Sequence, residues 1–212
     1  MKGKKVTNPV GKPIPILPQA RDALVVIDVQ NCFLPGGSLA VSEGGRIISP
    51  LNHAIELFEK RKLPIFFSRD WHPSNHCSFR EQGGPWPSHG VQNTEGARFS
   101  SDLKVPEAAT IISKGTETDK EEYSALYGRD AMGNTLYWHL HQSGIRRIFV
   151  GGLATDYCVL NTVRDILRQG YEVYVLTDAI CAVDANEGDG EMALKEMTER
   201  GAKIITTGDI QQ

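Results

Sequence analysis

The stretch RRIFVGGLATDYCVLNTVRDILRQGYEVYVLTDA, Arg146 to Ala179, reads as strand, helix, strand. Short apolar runs mark RRIFVGG (146–152) and YEVYVLTDA (171–179) as strands, and a helix is expected over 158–169 between them. Gly170 falls just past that helix, where a left-handed cap costs glycine least. A strand that returns through a helix implies a parallel partner, so this unit sets the fold class.

The same alternation extends in both directions. ALVVIDV (23–29) is a continuous apolar run with β-branched residues, the pattern of a strand buried on both faces. Ile47, Ile48, Leu51, Ala54, Ile55 and Phe58 recur at helical spacing and predict a helix over 47–60. LPIFFSRD (63–70) and ATIISK (109–114) are further strands, separated by a long irregular loop. A helix over 130–143, a helix over 188–200 and the strand AKIITT (202–207) complete the pattern, with Gly144 and Gly201 in the same cap position as Gly170. The expectation is a three-layer, doubly wound α/β fold: a mostly parallel sheet of about six strands with helices on both faces. Pro13, Pro15 and Pro18 make residues 1–20 an irregular proline-rich arm, leaving 21–212 as a single domain.

In such sheets ligands bind outside the carboxyl ends of the strands. That rule selects Asp28, Asp70, Lys114 and the segment after Gly152. Lys and Arg number 23 against 26 Asp and Glu, without a long basic block, which speaks against nucleic acid or an anionic membrane as partner and for a small, near-neutral substrate. The lysines at the N-terminus run into Pro and Gly rather than an apolar core, so no signal peptide is expected, and no segment is apolar for long enough to span a membrane. Cys32, Cys77, Cys158 and Cys181 lie far apart with no CxxC, so a reducing cytoplasm is the expected location.

Cys158 sits at the turn from strand to helix, where unpaired N–H groups and the helix dipole favour a thiolate and would bring its pKa below the free value of about 8.5. The bland alternative is a small buried apolar residue. Asp28 and Lys114, read singly, are solvated charges at strand ends. Converging with a cysteine on one sheet edge, they fit a proton carrier, an orienting cation and a nucleophile. The loop DWHPSNHCSFREQGGPWPSHGV, Asp70 to Val91, holds three of the six histidines, which is either a metal site or a polar surface loop.

DVQNCFLPGGSLAV (28–41), the segment 70–97 that opens with DWHPSNHC, ISKG (112–115) and GLATDYCVLNT (152–162) together resemble the ordered motifs of nicotinamidases, within the isochorismatase-like cysteine hydrolase superfamily. The similarity runs from about Ala23 to Ile205. It implies a catalytic Asp28, Lys114 and Cys158, oxyanion donors at the Ala154 and Cys158 N–H groups, and a cis peptide between Leu153 and Ala154. It also implies a divalent metal, zinc first with iron or manganese as alternatives, held by Asp70, His72 and His89. Asp70 and His72 are two apart at a strand end, so an extended backbone puts both on one face, and three protein ligands leave positions open.

His76 and Glu81 are candidates for a further ligand, His76 against the reading of a loop histidine bonded to backbone. Cys77 could meet a soft metal, and Cys32 and Cys181 read as packing residues. Gly90 departs from the many relatives that carry Cys there. Phe33 and Trp86 match positions that line the substrate ring, Tyr157 could reach the pocket, and Asp156 is expected to cap or charge the helix start. The activity implied is hydrolysis of nicotinamide to nicotinate and ammonia through a cysteine thioester, in NAD salvage, by a self-associating chain. Other expectations weighed are a cysteine hydrolase of another small amide such as an N-carbamoyl compound or a ureide, a metal-water hydrolase, and a non-catalytic binding protein.

Overall fold

Six strands in the order β3-β2-β1-β4-β5-β6 form the sheet of the computed structural model, which describes residues 15–211. They are β1 (Asp22–Ile27), β2 (Ile65–Asp70), β3 (Thr110–Lys114), β4 (Arg147–Leu153), β5 (Glu172–Cys181) and β6 (Lys203–Ile205), and every pairing between them is parallel. The helices are α1 (Ile48–Lys60), α2 (Leu136–Gln142), α3 (Leu160–Arg168) and α4 (Asp189–Glu199).

Side chains alternate across the strands, so each face builds its own core. Leu24, Val26 and Phe67 pack with Leu51, Ile55 and Phe58 of α1. Val25, Ile148 and Val150 pack with Leu140 of α2, Val163 of α3 and Met197 of α4. Phe58 meets Phe149 edge to face at 5.2 Å, which fixes α1 over the centre of the sheet. From β1 the chain winds outward through β2 and β3, then restarts beside β1 at β4 and winds the other way. The crevice at that reversal is where the fold offers a ligand site.

The strands and helices fall close to their expected ranges, and Gly144, Gly170 and Gly201 have φ of 61°, 83° and 106° as the cap positions require. Three boundaries differ. β1 stops at Ile27 because Asp28 takes a left-handed φ of 48°, which no regular strand accommodates. The helix expected from 130 starts only at Leu136. Asp130 accepts from the N–H groups of Met132 and Asn134, both at 2.8 Å, and Thr135 caps the Trp138 N–H at 3.1 Å, so turn chemistry displaces six residues of the helix. The helix expected from 158 is preceded by a wide π-type turn, Thr155–Val159, closed by Val159 N–H to Ala154 O at 3.1 Å. Residues 1–14 of the expected arm lie outside the described residues; Ile16 pairs with Ile210 in an isolated parallel bridge.

At the reversal β4 crosses β1 closely. Gly152 has φ 125°, and a Cβ there would lie 2.1 Å from Ile27 O. Gly152→Ala is therefore expected to destabilise the fold by about 3 kcal/mol or more, since strained backbone and a main-chain clash act together. Thermal melting checks this; an unchanged melting temperature would show that the two strands can part at no cost.

Candidate active site

Four strand ends meet at the crevice. Asp28 follows β1, Asp70 ends β2, Lys114 ends β3, and Cys158 lies in the π-type turn after β4. Lys114, almost fully buried, is the hub. Its Nζ lies 2.9 Å from Asp28 Oδ2 and 3.3 Å from Cys158 Sγ, and it is ion-paired with Asp70 Oδ1. Ser68 Oγ donates to Asp28 Oδ1 at 2.6 Å, whereas Oδ2 meets Lys114 by charge alone, with no well-angled hydrogen bond. Carboxylate oxygens of Asp28 and Asp70 and the Cys158 sulfur all lie within 4.8 Å of one another.

Burial and competing charge set the protonation states. Burial works against the Lys114 ammonium, but Asp28, Asp70 and Cys158 hold its pKa well above the usual lysine range. Burial pushes Asp28 up in spite of Lys114. Asp70 is also buried, yet Lys114, His72 and His89 hold it well below the usual carboxylate range. For Cys158 the structure corrects the sequence expectation: burial drives the thiol pKa well up, Lys114 opposes this, and the two carboxylates add to it. Enclosure in the turn beside negative charge, rather than presentation to solvent, favours the thiol over the thiolate.

On the other side of Asp70 stand two imidazoles. His72 Nε2 is 3.6 Å and His89 Nε2 3.8 Å from Asp70 Oδ2. His72 Nδ1 lies 2.8 Å from Gly115 O, and His89 Nδ1 2.8 Å from Pro87 O. A carbonyl only accepts, so each Nδ1 carries a proton, and Nε2 is the ring atom turned toward the carboxylate oxygen, where it can ligate a metal that displaces any proton of its own. The donor set therefore fits a divalent cation. Gly115 is needed here, because a Cβ would come within 2.3 Å of the His72 ring. At Gly90 a Cβ would lie 2.7 Å from Asp70 Cβ.

The further ligand candidates fall outside this set. His76 stacks on His72 at 4.0 Å, with Nδ1 2.7 Å from Ser78 Oγ and Nε2 3.1 Å from Lys120 O, so both ring nitrogens are engaged. Glu81 is exposed, and Cys77 joins neither cluster of ligand atoms. Cys32 and Cys181 are buried. Asp156 does not cap its own turn; its carboxylate accepts from Val183 and Asp184 N–H at 3.0 and 2.9 Å and ties down the chain after β5.

Cys158, Asp70 and His89 open onto a narrow cavity of about 40 Å³ walled by Phe33, Trp86 and Tyr157 with Leu39, Val41 and Tyr123. Trp86 meets Tyr157 edge to face at 5.0 Å, and its Nε1 donates to Tyr123 Oη at 3.0 Å. Hollows of about 610 and 640 Å³ beside α1 are larger but shallow and bring no such groups together. Tyr123, Ser68 and Gln30 were not anticipated from the sequence. Ser68 lies two before Asp70 on the same strand face and Gln30 two after Asp28, so spacing could have found both; Tyr123 lies in a loop without periodicity. The cis peptide between Leu153 and Ala154 is present.

A model of the Isochorismatase domain matches residues 22–209. The chain belongs to the isochorismatase family. Within that family, it is 37% identical over 207 residues to the nicotinamidase of Escherichia coli, an alignment covering 90% of this chain and 97% of that one. A pyrazinamidase of Pyrococcus horikoshii, solved in complex with zinc, is 47% identical with a TM-score of 0.80, over 88% of this chain and 99% of that chain. PnC1 of L. infantum, solved in complex with nicotinate, is 32% identical with a TM-score of 0.83, over 93% and 98%. The isochorismatase-family chain has, among its described residues, no helix long and apolar enough to cross a membrane.

Proposed function

We propose that this protein is a nicotinamidase that hydrolyses nicotinamide to nicotinate and ammonia through a thioester on Cys158. The observation that carries the reading is Lys114 Nζ, 2.9 Å from Asp28 and 3.3 Å from Cys158, paired on its other side with the carboxylate that faces His72 and His89. Nicotinamidase relatives, and structural neighbours holding zinc and nicotinate, support it.

In this reading Asp28 takes the Cys158 proton as sulfur attacks the carboxamide carbon. Lys114 steadies the charge passing between them. The N–H groups of Ala154 and Cys158 donate to the oxyanion, each worth about 3 kcal/mol where such donors have been removed. Asp28 returns the proton to nitrogen, the C–N bond breaks and ammonia leaves. A water then gives its proton to Asp28, attacks the thioester and frees nicotinate and the thiol. Asp70, His72 and His89 would hold a divalent cation, zinc first with iron or manganese as alternatives, and when bound it would supply Lewis acidity for orienting the pyridine nitrogen. Phe33, Trp86 and Tyr157 enclose the ring.

The reading includes a role in NAD salvage and a cytoplasmic location, which four unpaired cysteines support. It also includes self-association, for which exposed Met132, Tyr137 and Trp138 offer apolar surface; light scattering at micromolar concentration should give a mass above 23.4 kDa, and the monomer mass alone would overturn that part. The substrate is tested by kcat/KM for nicotinamide beside N-carbamoyl amino acids and ureides. Nicotinamide is expected to be preferred; faster turnover of an N-carbamoyl compound would overturn the assignment.

A further inference from the structure

The ladder between β1 and β2 is interrupted where the two carboxylates of the site stand. Up to that point it is regular, with Leu24 N–H donating to Pro64 O at 3.0 Å and Asp28 N–H to Ser68 O at 3.1 Å. A parallel ladder takes every second residue, so its next bonds would run from Asp70 N–H to Asp28 O and from Gln30 N–H to Asp70 O. Asp28 instead turns left-handed at φ 48°, and Gln30 N–H folds back on Asp28 O at 2.8 Å. Asp70 would be left with an unmatched donor and acceptor inside the protein, each costly to bury.

The side chain of Gln30 fills both places. Its Oε1 accepts from Asp70 N–H at 2.7 Å, and its Nε2 donates to Asp70 O at 2.8 Å and to Ala97 O at 2.9 Å. The residue is fully buried, and both amide protons are used. We propose that Gln30 is a positioning residue whose carboxamide replaces the strand partner that β1 withdraws at Asp28. It fixes Asp70 between Lys114 and the two histidines while leaving Asp28 free to face the thiol. The requirement is for a donor and an acceptor on one planar group at this reach. An ionised glutamate supplies acceptors only and would face two carbonyls, and asparagine is one methylene short.

This role for Gln30 rests on the metal-binding part of the proposed function, so its test reads metal affinity directly, without substrate. Zinc affinity of the stripped full-length chain is measured by competition with a chromophoric chelator for wild type, Gln30→Glu and Gln30→Ala. Thr162→Val serves as comparison, because Thr162 Oγ1 accepts a buried hydrogen bond from Ala125 N–H at 2.9 Å that involves none of Asp70, His72 and His89. Both Gln30 variants are expected to bind zinc about 10–100-fold more weakly, the effect of losing a group that orients a ligand. Thr162→Val should lower the melting temperature and leave zinc affinity at the wild-type value. Gln30→Glu keeps the side-chain volume in case Gln30→Ala folds poorly. Zinc affinity unchanged in Gln30→Glu, with a melting temperature lowered as in Thr162→Val, would overturn the proposal and leave Gln30 a stabilising residue only. Absence of zinc binding by wild type would overturn the metal-binding reading itself, and the role of Gln30 with it.

Discussion

Cys158→Ala is expected to lose nicotinamide hydrolysis by about 10⁴-fold or more while keeping its fold. The substitution removes one buried sulfur and leaves Lys114 still paired with Asp28 and Asp70, so the charge cluster keeps its internal balance. Only the atom proposed to form the bond to carbon is gone. Ammonia release and thermal melting together check this. A variant that melts like wild type and turns over at a comparable rate would show that sulfur is not the nucleophile, and would favour attack by a metal-bound water.

Lys114→Met is the second large effect, and it strikes stability and chemistry together. The ammonium is the only cation in contact with both Asp28 and Asp70 among the described residues, and all three side chains are almost entirely enclosed. Removing it leaves two carboxylates side by side in the interior, and breaking a buried pair in this way costs about 3–5 kcal/mol. Activity is expected to fall by about 10³-fold or more, since Asp28, the proposed base, loses the charge that opposes its protonation and Cys158 the donor 3.3 Å from its sulfur. Adding Asp28→Asn should return part of the stability, because one uncompensated charge is removed, and none of the activity. Asp28→Asn alone removes the proposed base, so the double variant is read by melting only, and the catalytic part is read from ammonia release by Lys114→Met at a temperature where it is folded. Turnover at the wild-type rate by folded Lys114→Met would contradict a catalytic role for Lys114.

Much of this architecture was legible because parallel strands buried on both faces read as continuous apolar runs, as in ALVVID and RRIFV, and because glycines punctuate the helix ends. The strand-end rule then brought together Asp28, Asp70, Lys114 and Cys158, which lie up to 130 residues apart in the chain. What periodicity missed was local. Asp28 leaves the strand through a left-handed backbone that an aspartate seldom adopts, and nothing in ALVVIDV marks the break. The carboxylate of Asp130 and the hydroxyl of Thr135 win residues from a helix whose apolar spacing looked longer. The rise of the Cys158 pKa follows from tertiary enclosure and two nearby carboxylates, neither visible in GLATDYC. Gln30 and Ser68 stand two residues from Asp28 and Asp70, an offset visible in the sequence, but the groups they bond lie 40 residues away and only the fold identifies them.

A thioester on Cys158 is the centre of the proposed chemistry, and interception of that species tests it most directly. Wild-type protein supplied with zinc and nicotinamide is assayed in the presence of hydroxylamine, a nucleophile that competes with water for an acyl-enzyme. Nicotinohydroxamate is expected, formed at the expense of nicotinate as hydroxylamine is raised. Nicotinate released at an undiminished rate with no hydroxamate would contradict the thioester, and would move the chemistry from sulfur to water.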